Sequence, residues 1–181
     1  MIYRLGNLIP KIGKNNFIAK NADVIGDVET GEEVSIWFGA RVRGDIAKIK
    51  IGNRSNIQDN VTIHCDEDFP VLIGEKVTVG HNTVLHGCEI GDETVIGMGS
   101  TVLNGSFIPK GCLVGAGSLV TPKLKAEEGD LIIGNPAKVI RKLSDKNREY
   151  LKFAYKEYVD EIKRYSKELV KMEEEWEVRY T

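Results

Sequence analysis

The sequence is short of most features on which broad functional classes depend. It has no excess charge of one sign: 25 Lys and Arg against 27 Asp and Glu leave a net charge of -2 over 181 residues. Neither a basic field for nucleic acid nor a strongly acidic, disordered chain is indicated. No apolar run approaches a membrane span, and the opening Met1-Ile2-Tyr3-Arg4-Leu5-Gly6 lacks the apolar region of a signal peptide. A cytoplasmic protein with no membrane or nucleic-acid partner is therefore expected. Cysteine is limited to Cys65, Cys88 and Cys112, an odd number without a CxxC pair, which predicts reduced thiols. Aromatic residues make up only 7%, against a thick helical core, while 19 glycines call for many tight turns. Histidine occurs three times, at His64, His81 and His86, all within one stretch.

What the chain does have is a repeat. A branched aliphatic residue, usually followed by glycine or a polar residue, recurs about every six positions from Ile12 to Val120, giving eighteen rungs. The series includes Ile36, Val42, Ile51, Ile57, Ile63, Ile73, Val79, Leu85, Ile90, Ile96, Val102 and Val114. Two positions before many of these stands a small or branched residue, among them Ala22, Ala40, Thr83, Cys88, Thr94, Ser100, Cys112 and Ser118. Alternate residues of a strand face one side, so both recurring positions read as inward and the residue after the aliphatic as outward. A six-residue period is too short for a helical repeat and predicts a parallel β-helix of about six coils, three strands per coil, stacked at roughly 4.8 Å. An antiparallel sandwich would need longer strands and wider turn spacing.

The repeat is expected to cover residues 1–122. An exit segment, 123–143, carries the turn Gly134-Asn135-Pro136-Ala137-Lys138, and a helix follows in 144–181, all in one structural domain. Ser144 is the expected N-cap of a helix through about Trp176. Its apolar stripe is Leu151, Tyr155, Tyr158, Ile162, Tyr165, Leu169, Met172 and Trp176, which predicts a helix packed along the solenoid.

The rung count places the histidines. Rungs three apart share a face, so Val42, Ile63 and Leu85 stack, and their outward neighbours Arg43, His64 and His86 form a column about 4.8 Å apart. His64 and His86 are then close enough to share a metal ion. His81 follows Val79 near the corner of the preceding face, which it shares with Gln58, and it points around an edge. A second copy of the chain can bring His81 to the first copy's His64 and His86. Repeating that heterologous contact closes a ring of three, predicting a homotrimer with shared sites. Three imidazoles with an open fourth position are a ligand set that brings the pKa of bound water to about 7.

The motifs Arg43-Gly44-Asp45, Asn56-Ile57-Gln58-Asp59, Ile63-His64, Val79-Gly80-His81, Leu85-His86-Gly87-Cys88 and Ile96-Gly97-Met98-Gly99 resemble those of the gamma-class carbonic anhydrases. So does the turn at Gly134–Lys138, so the similarity covers nearly the whole chain. The resemblance implies an all-β solenoid, the left-handed parallel β-helix, with a C-terminal α-helix packed along it, and a trimer with metal between subunits. It implies hydration of carbon dioxide to bicarbonate by a metal-bound hydroxide, with one divalent metal per chain. Zinc is the first expectation, and iron or cobalt suit the same imidazoles. It assigns His64 and His86 to one subunit and His81 to the next. Gln58 would orient the hydroxide, and Tyr158 aligns with a helix tyrosine that points into the site in relatives. Arg43, Asp45 and Asp59 would tie subunits together and place product. The 44–50 connection lacks the family's acidic proton-shuttle loop, leaving Glu67 as the candidate shuttle. Cys65, read as outward beside His64, is expected to be a bystander or else a redox-sensitive thiol that gates the site. Two other functions stay open: a hexapeptide acyltransferase or thioesterase using one histidine as general base without metal, and a catalytically weak trimeric scaffold that retains the site.

Overall fold

The computed structural model describes residues 1–172. The six-residue spacing resolves into three faces, each a stack of short strands paired in parallel. On the first face the segments Asp23–Thr30, Arg41–Ile51, Thr62–His64, Val84–His86, Thr101–Val102 and Leu119–Val120 lie in order. Val24, Val42, Ile63, Leu85, Val102 and Val120 all point inward, and each is fully buried. On the third face Ile18, Ile36, Ile57, Val79, Ile96, Val114 and Ile132 stack through parallel pairs in the same way. Asp23–Thr30 and Arg41–Ile51 are long enough to bend around a corner, so the first and second faces share one hydrogen-bonded sheet. Among the described residues the fold is a parallel, left-handed β-helix with one C-terminal helix.

The small residues two places before each aliphatic are buried as expected, Ala22, Ala40, Thr83, Thr94, Ser100, Cys112 and Ser118 among them. They narrow each coil so that three aliphatics can meet across it. Thr30 stands at an aliphatic position but is not unsatisfied: its hydroxyl accepts from the Gly13 backbone N–H at 3.1 Å and from Asn16 Nδ2 at 2.7 Å. One corner turns through a left-handed residue on successive coils, Glu33, Arg54, Lys76 and Glu93, with φ from 54° to 59°. Each such turn is tied to the one above: Arg54 N–H donates to Glu32, Lys76 to Asn53 and Glu93 to Glu75 at 2.8–2.9 Å. Those bonds offset a backbone strain of about 1–2 kcal/mol per residue.

Two boundaries differ from the sequence expectation. The winding does not stop at Pro122, because Leu131 and Ile132 of the strand Asp130–Gly134 pair in parallel with Leu113 and Val114. That added rung makes about seven turns rather than six. It was hidden because 123–129 lacks the repeat, although the next aliphatics re-enter the stack. The chain then folds back as the antiparallel strand Ala137–Lys142. The helix spans Asp145–Glu168, with the Ser144 side chain accepting from the Asn147 N–H at its start. It stops short of Trp176, which lies outside the described residues. Seven rungs on the third face are about 29 Å tall, and 24 helical residues are about 36 Å long. Past Glu168 there is no face left to cover, and Leu169, Val170 and Met172 are exposed. Where the face exists the stripe packs. Leu151 and Ala154 join Val95, Leu131 and Leu143, while Tyr158 and Tyr165 stand edge-on to Trp37 with ring centroids 5.3 and 4.9 Å away. The helix therefore runs from the last coil back toward the first. No helix among the described residues is long and apolar enough to cross a membrane.

Asp130 anchors the added rung. It accepts from the Glu127 N–H at 2.7 Å and pairs with Lys142 Nζ at 2.9 Å, its own side chain only 5% exposed. Burial pushes its pKa up, but the Glu127 N–H and the Lys142 ammonium outweigh burial and hold the carboxyl below its usual range. A depressed pKa stabilises the fold above about pH 4 and loses that contribution as pH falls through the folded-state value. Asp130→Asn is expected to lower unfolding free energy by about 1–3 kcal/mol at neutral pH. Urea midpoints of the two proteins should converge in acid; a gap that holds or widens there would contradict this.

Candidate metal centre

The parallel register does what the rung count required. Arg43 pairs with His64, and His64 with His86, so the three side chains form one outward column on the first face. Their neighbours Val42, Ile63 and Leu85 are buried, which forces the alternate residues out. His64 Nδ1 and His86 Nε2 lie 3.0 Å apart. Ile57 pairs with Val79 on the third face, and the Gln58 side-chain carbonyl accepts from the His81 backbone N–H at 3.2 Å.

Each imidazole has one nitrogen occupied by a neighbouring oxygen. His64 Nε2 meets Asp45 Oδ1 at 3.0 Å, His81 Nδ1 meets Asp59 Oδ2 at 2.9 Å, and His86 Nδ1 meets Asn104 Oδ1 at 2.5 Å. A carboxylate only accepts, so His64 carries its proton on Nε2 and His81 on Nδ1. Asn104 donates its amide nitrogen to Asp66 Oδ2 at 2.6 Å, which leaves its oxygen for His86 and puts that proton on Nδ1. These tautomers follow from the hydrogen-bond network. The two nitrogens facing each other across 3.0 Å both present lone pairs. Such a contact repels unless a cation lies between them. Two nitrogens bound tetrahedrally to one zinc would be about 3.3 Å apart, close to this spacing. A ligating histidine that donates its other N–H to an oxygen is the usual outer-shell arrangement, so the donor set fits a divalent metal.

The third histidine does not close the set within one chain. Among the described residues, the cluster of three His, Cys, Asp or Glu donors within 4.8 Å is Asp45, His64 and Cys65, without His81. That cluster is a poor cation cage, because Asp45 already accepts from His64 and from Arg43 Nη1. Cys65 is also not an outward bystander. It is fully buried, with Sγ accepting from the Ala47 N–H at 3.3 Å and donating to the Ala47 carbonyl at 3.1 Å. The strand ends at His64, and the thiol turns in at the corner beneath the 44–50 connection, which folds over it.

The remaining candidates fall into place as follows. Burial raises the Asp45 pKa, but hydrogen bonds from His64 and Arg43 outweigh it and keep the carboxyl ionised. Within the protomer Asp45 and Asp59 thus orient histidines, and Arg43, 46% exposed, engages Asp45. Gln58 is buried, its nitrogen donating to Asn56 Oδ1 at 3.2 Å, which leaves one amide N–H uncommitted among the described residues. Tyr158 and His81 line a cleft of about 420 Å³ with Trp37, Phe38 and Asp59. Glu67 is exposed at the tip of its loop. Asn104 and Asp66 were not singled out in the sequence. The three-rung step that stacks Leu85 on Val102 puts Asn104 beneath Gly87, so the signal was present for Asn104. Asp66 looked like one more solvated loop carboxylate.

Fold and site together define a hexapeptide-repeat protein with a histidine-lined edge, and residues 70–104 match the bacterial transferase hexapeptide family model (six repeats). The chain is 42% identical over 160 residues to a carbonic anhydrase of Geobacillus kaustophilus, covering 88% of each protein. It is 41% identical over 175 residues to the mitochondrial gamma carbonic anhydrase 2 of Arabidopsis thaliana, covering 93% of this chain. It spans 63% of that plant relative's length. The crystal structure of a hexapeptide transferase family protein from Anaplasma phagocytophilum superposes with a TM-score of 0.86 at 36% identity, covering 91% of this chain and 96% of that one. The chain belongs to the gamma-class carbonic anhydrase family.

Burial, and then the charge of Asp59, push the Tyr158 phenol up to about 12. The unfolded phenol ionises near 10, so the fold should lose stability as pH rises from about 10 toward 12. Ultraviolet titration of wild type against Tyr158→Phe should show the missing phenol ionising only in strong alkali; a difference spectrum complete by pH 10 would contradict the burial.

Proposed function

We propose that the protein hydrates carbon dioxide to bicarbonate at sites between protomers of a homotrimer. His64 and His86 of one protomer and His81 of the next would hold one divalent metal per chain, zinc first, with iron or cobalt fitting the same nitrogens. The observation that carries this reading is the pair of imidazole lone pairs facing each other at 3.0 Å, with both opposite ring nitrogens already donating. His81 has the same arrangement, its Nδ1 taken by Asp59 and its Nε2 without a partner among the described residues, but it stands apart from the pair. A second copy supplies what one chain cannot.

A metal bound there supplies Lewis acidity that brings the ionisation of water near neutral pH. The chain's residues do the rest. Asp45, Asp59 and Asn104 hold the three ring protons on the nitrogens that point away from the metal. Gln58, fixed between Asn56 and the His81 backbone, has an N–H left to orient an oxygen nucleophile. Arg43 offers its exposed guanidinium to the bicarbonate anion, and with Asp45 and Asp59 it sits where subunits would meet. Tyr158, its pKa about 12, keeps its proton at neutral pH and acts as a donor rather than a base. Glu67, exposed on the loop after His64, is the proton carrier to solvent in this reading. The buried, unpaired thiols of Cys65, Cys88 and Cys112 suit a reducing compartment such as the cytoplasm.

A second reading has one observation in its favour. A cleft of about 490 Å³ beside Gln58 and His81, walled by Val95, Leu113, Leu131 and Ala154, is larger than carbon dioxide needs and would admit an acyl chain. In that case His81 would serve as a general base without metal, as in hexapeptide acyltransferases or thioesterases. A trimeric scaffold would keep the metal and lack hydration.

Metal analysis of the purified trimer should give about one divalent ion per chain, lost with hydration activity in His81→Ala. Co-expressing His81→Ala and His86→Ala chains should rescue part of both, because each mixed trimer has one intact interface. Random mixing predicts about a quarter of an ion per chain. Full metal in His81→Ala, or no rescue in mixed trimers, would overturn the shared site, and metal without hydration would point to the scaffold.

A further inference from the structure

The loop after His64 is closed by two backbone bonds, Asp66 N–H to Phe69 at 3.2 Å and Phe69 N–H to Asp66 at 3.0 Å. Glu67 and Asp68 face solvent, but Asp66 turns inward and accepts from Asn104, 38 positions along the chain, at 2.6 Å. Asn104 in turn meets His86 Nδ1. Gly87 leaves room for this arrangement: a Cβ there would lie 2.6 Å from Phe69 Cβ and 2.7 Å from Asn104 Oδ1, and its φ is +55°. A side chain at 87 would displace the loop, the amide or both.

We propose that Asn104 and Asp66 are positioning residues that lock His86 in the tautomer whose Nε2 is free to bind metal. The inference rests on reading His86 as a ligand. An amide by itself is ambiguous, because its oxygen and NH2 ends are nearly equal in size and exchange by a flip. With the NH2 end toward His86, the ring would move its proton to Nε2 and close the donor position. Asp66, which only accepts, removes that choice by holding the NH2 end. His64 and His81 face carboxylates, which cannot donate, so they need no second partner. Only His86 faces a neutral group, and only there does the chain add a carboxylate behind it. The acidic loop therefore acts on the site through Asp66, whatever proton transfer Glu67 performs.

The test uses the metal-free full-length protein labelled with 15N-histidine, where long-range 1H–15N spectra report which ring nitrogen carries the proton. Wild type should show Nδ1–H at His86, while Asn104→Ala and Asp66→Ala should shift the ring toward the Nε2–H form. Cobalt(II) affinity, measured by chelator competition, should fall about 10–100-fold in Asn104→Ala and less in Asp66→Ala. The exchanged pair Asp66→Asn with Asn104→Asp should restore both, since the carboxylate then at position 104 accepts from His86 and from the amide then at position 66. An unchanged Nδ1–H tautomer in Asn104→Ala, or in Asp66→Ala should the former not fold, would overturn the proposal. A tautomer shift in a protein that takes up no cobalt even as wild type would uphold the positioning role and sink the ligand reading instead.

Discussion

Everything in this molecule hangs on vertical register: each aliphatic rung sits over the one three rungs before it, and the backbone ladder between them admits no slip. A shift of one residue would exchange inward and outward side chains along a whole face, burying imidazoles and exposing isoleucines. Register is held twice, by buried Val42, Ile63 and Leu85 and by the left-handed corners bonded coil to coil. The same ladder that makes the core therefore carries His64 onto His86 at 3.0 Å. Stability and site geometry come from one set of hydrogen bonds.

Around that pair the chain has spent its polar residues on orientation. Asp45, Asp59 and Asn104 each take one imidazole N–H, and Arg43, Gln58 and Asp66 stand behind or beside them. Nearly every polar group near the column is committed within the protomer. What the protomer lacks is a third nitrogen next to the first two, and the third histidine stands at a different corner. In the proposed shared site, a second copy would supply that nitrogen, and assembly would then have a chemical reason as well as a geometric one.

The helix shows the opposite kind of control. Its stripe in the sequence continues to Trp176, but periodicity records only which side is apolar, not how much surface is available to cover. The solenoid ends, and the described helix ends with it at Glu168. The seventh rung was missed for a related reason. Leu131 and Ile132 are joined to the repeat by a stretch without the period, so only the folded ladder shows that they rejoin it.

The sequence alone determined the solenoid and the column, because a six-residue period with alternation fixes which residues lie three rungs apart, while the left hand of the winding came from the family resemblance. Arg43, His64 and His86, and the sharing of a face by Gln58 and His81, were legible for that reason. Only the tertiary structure decided the outer shell and the orientation of Cys65. Asp66 and Asn104 are joined by a side-chain hydrogen bond across 38 positions, which no local pattern records. Cys65 is turned in by the 44–50 connection folding over it, a packing contact rather than a periodic one. Spacing says which residues share a face, and hydrogen bonds between side chains say which nitrogen of each ring is left free.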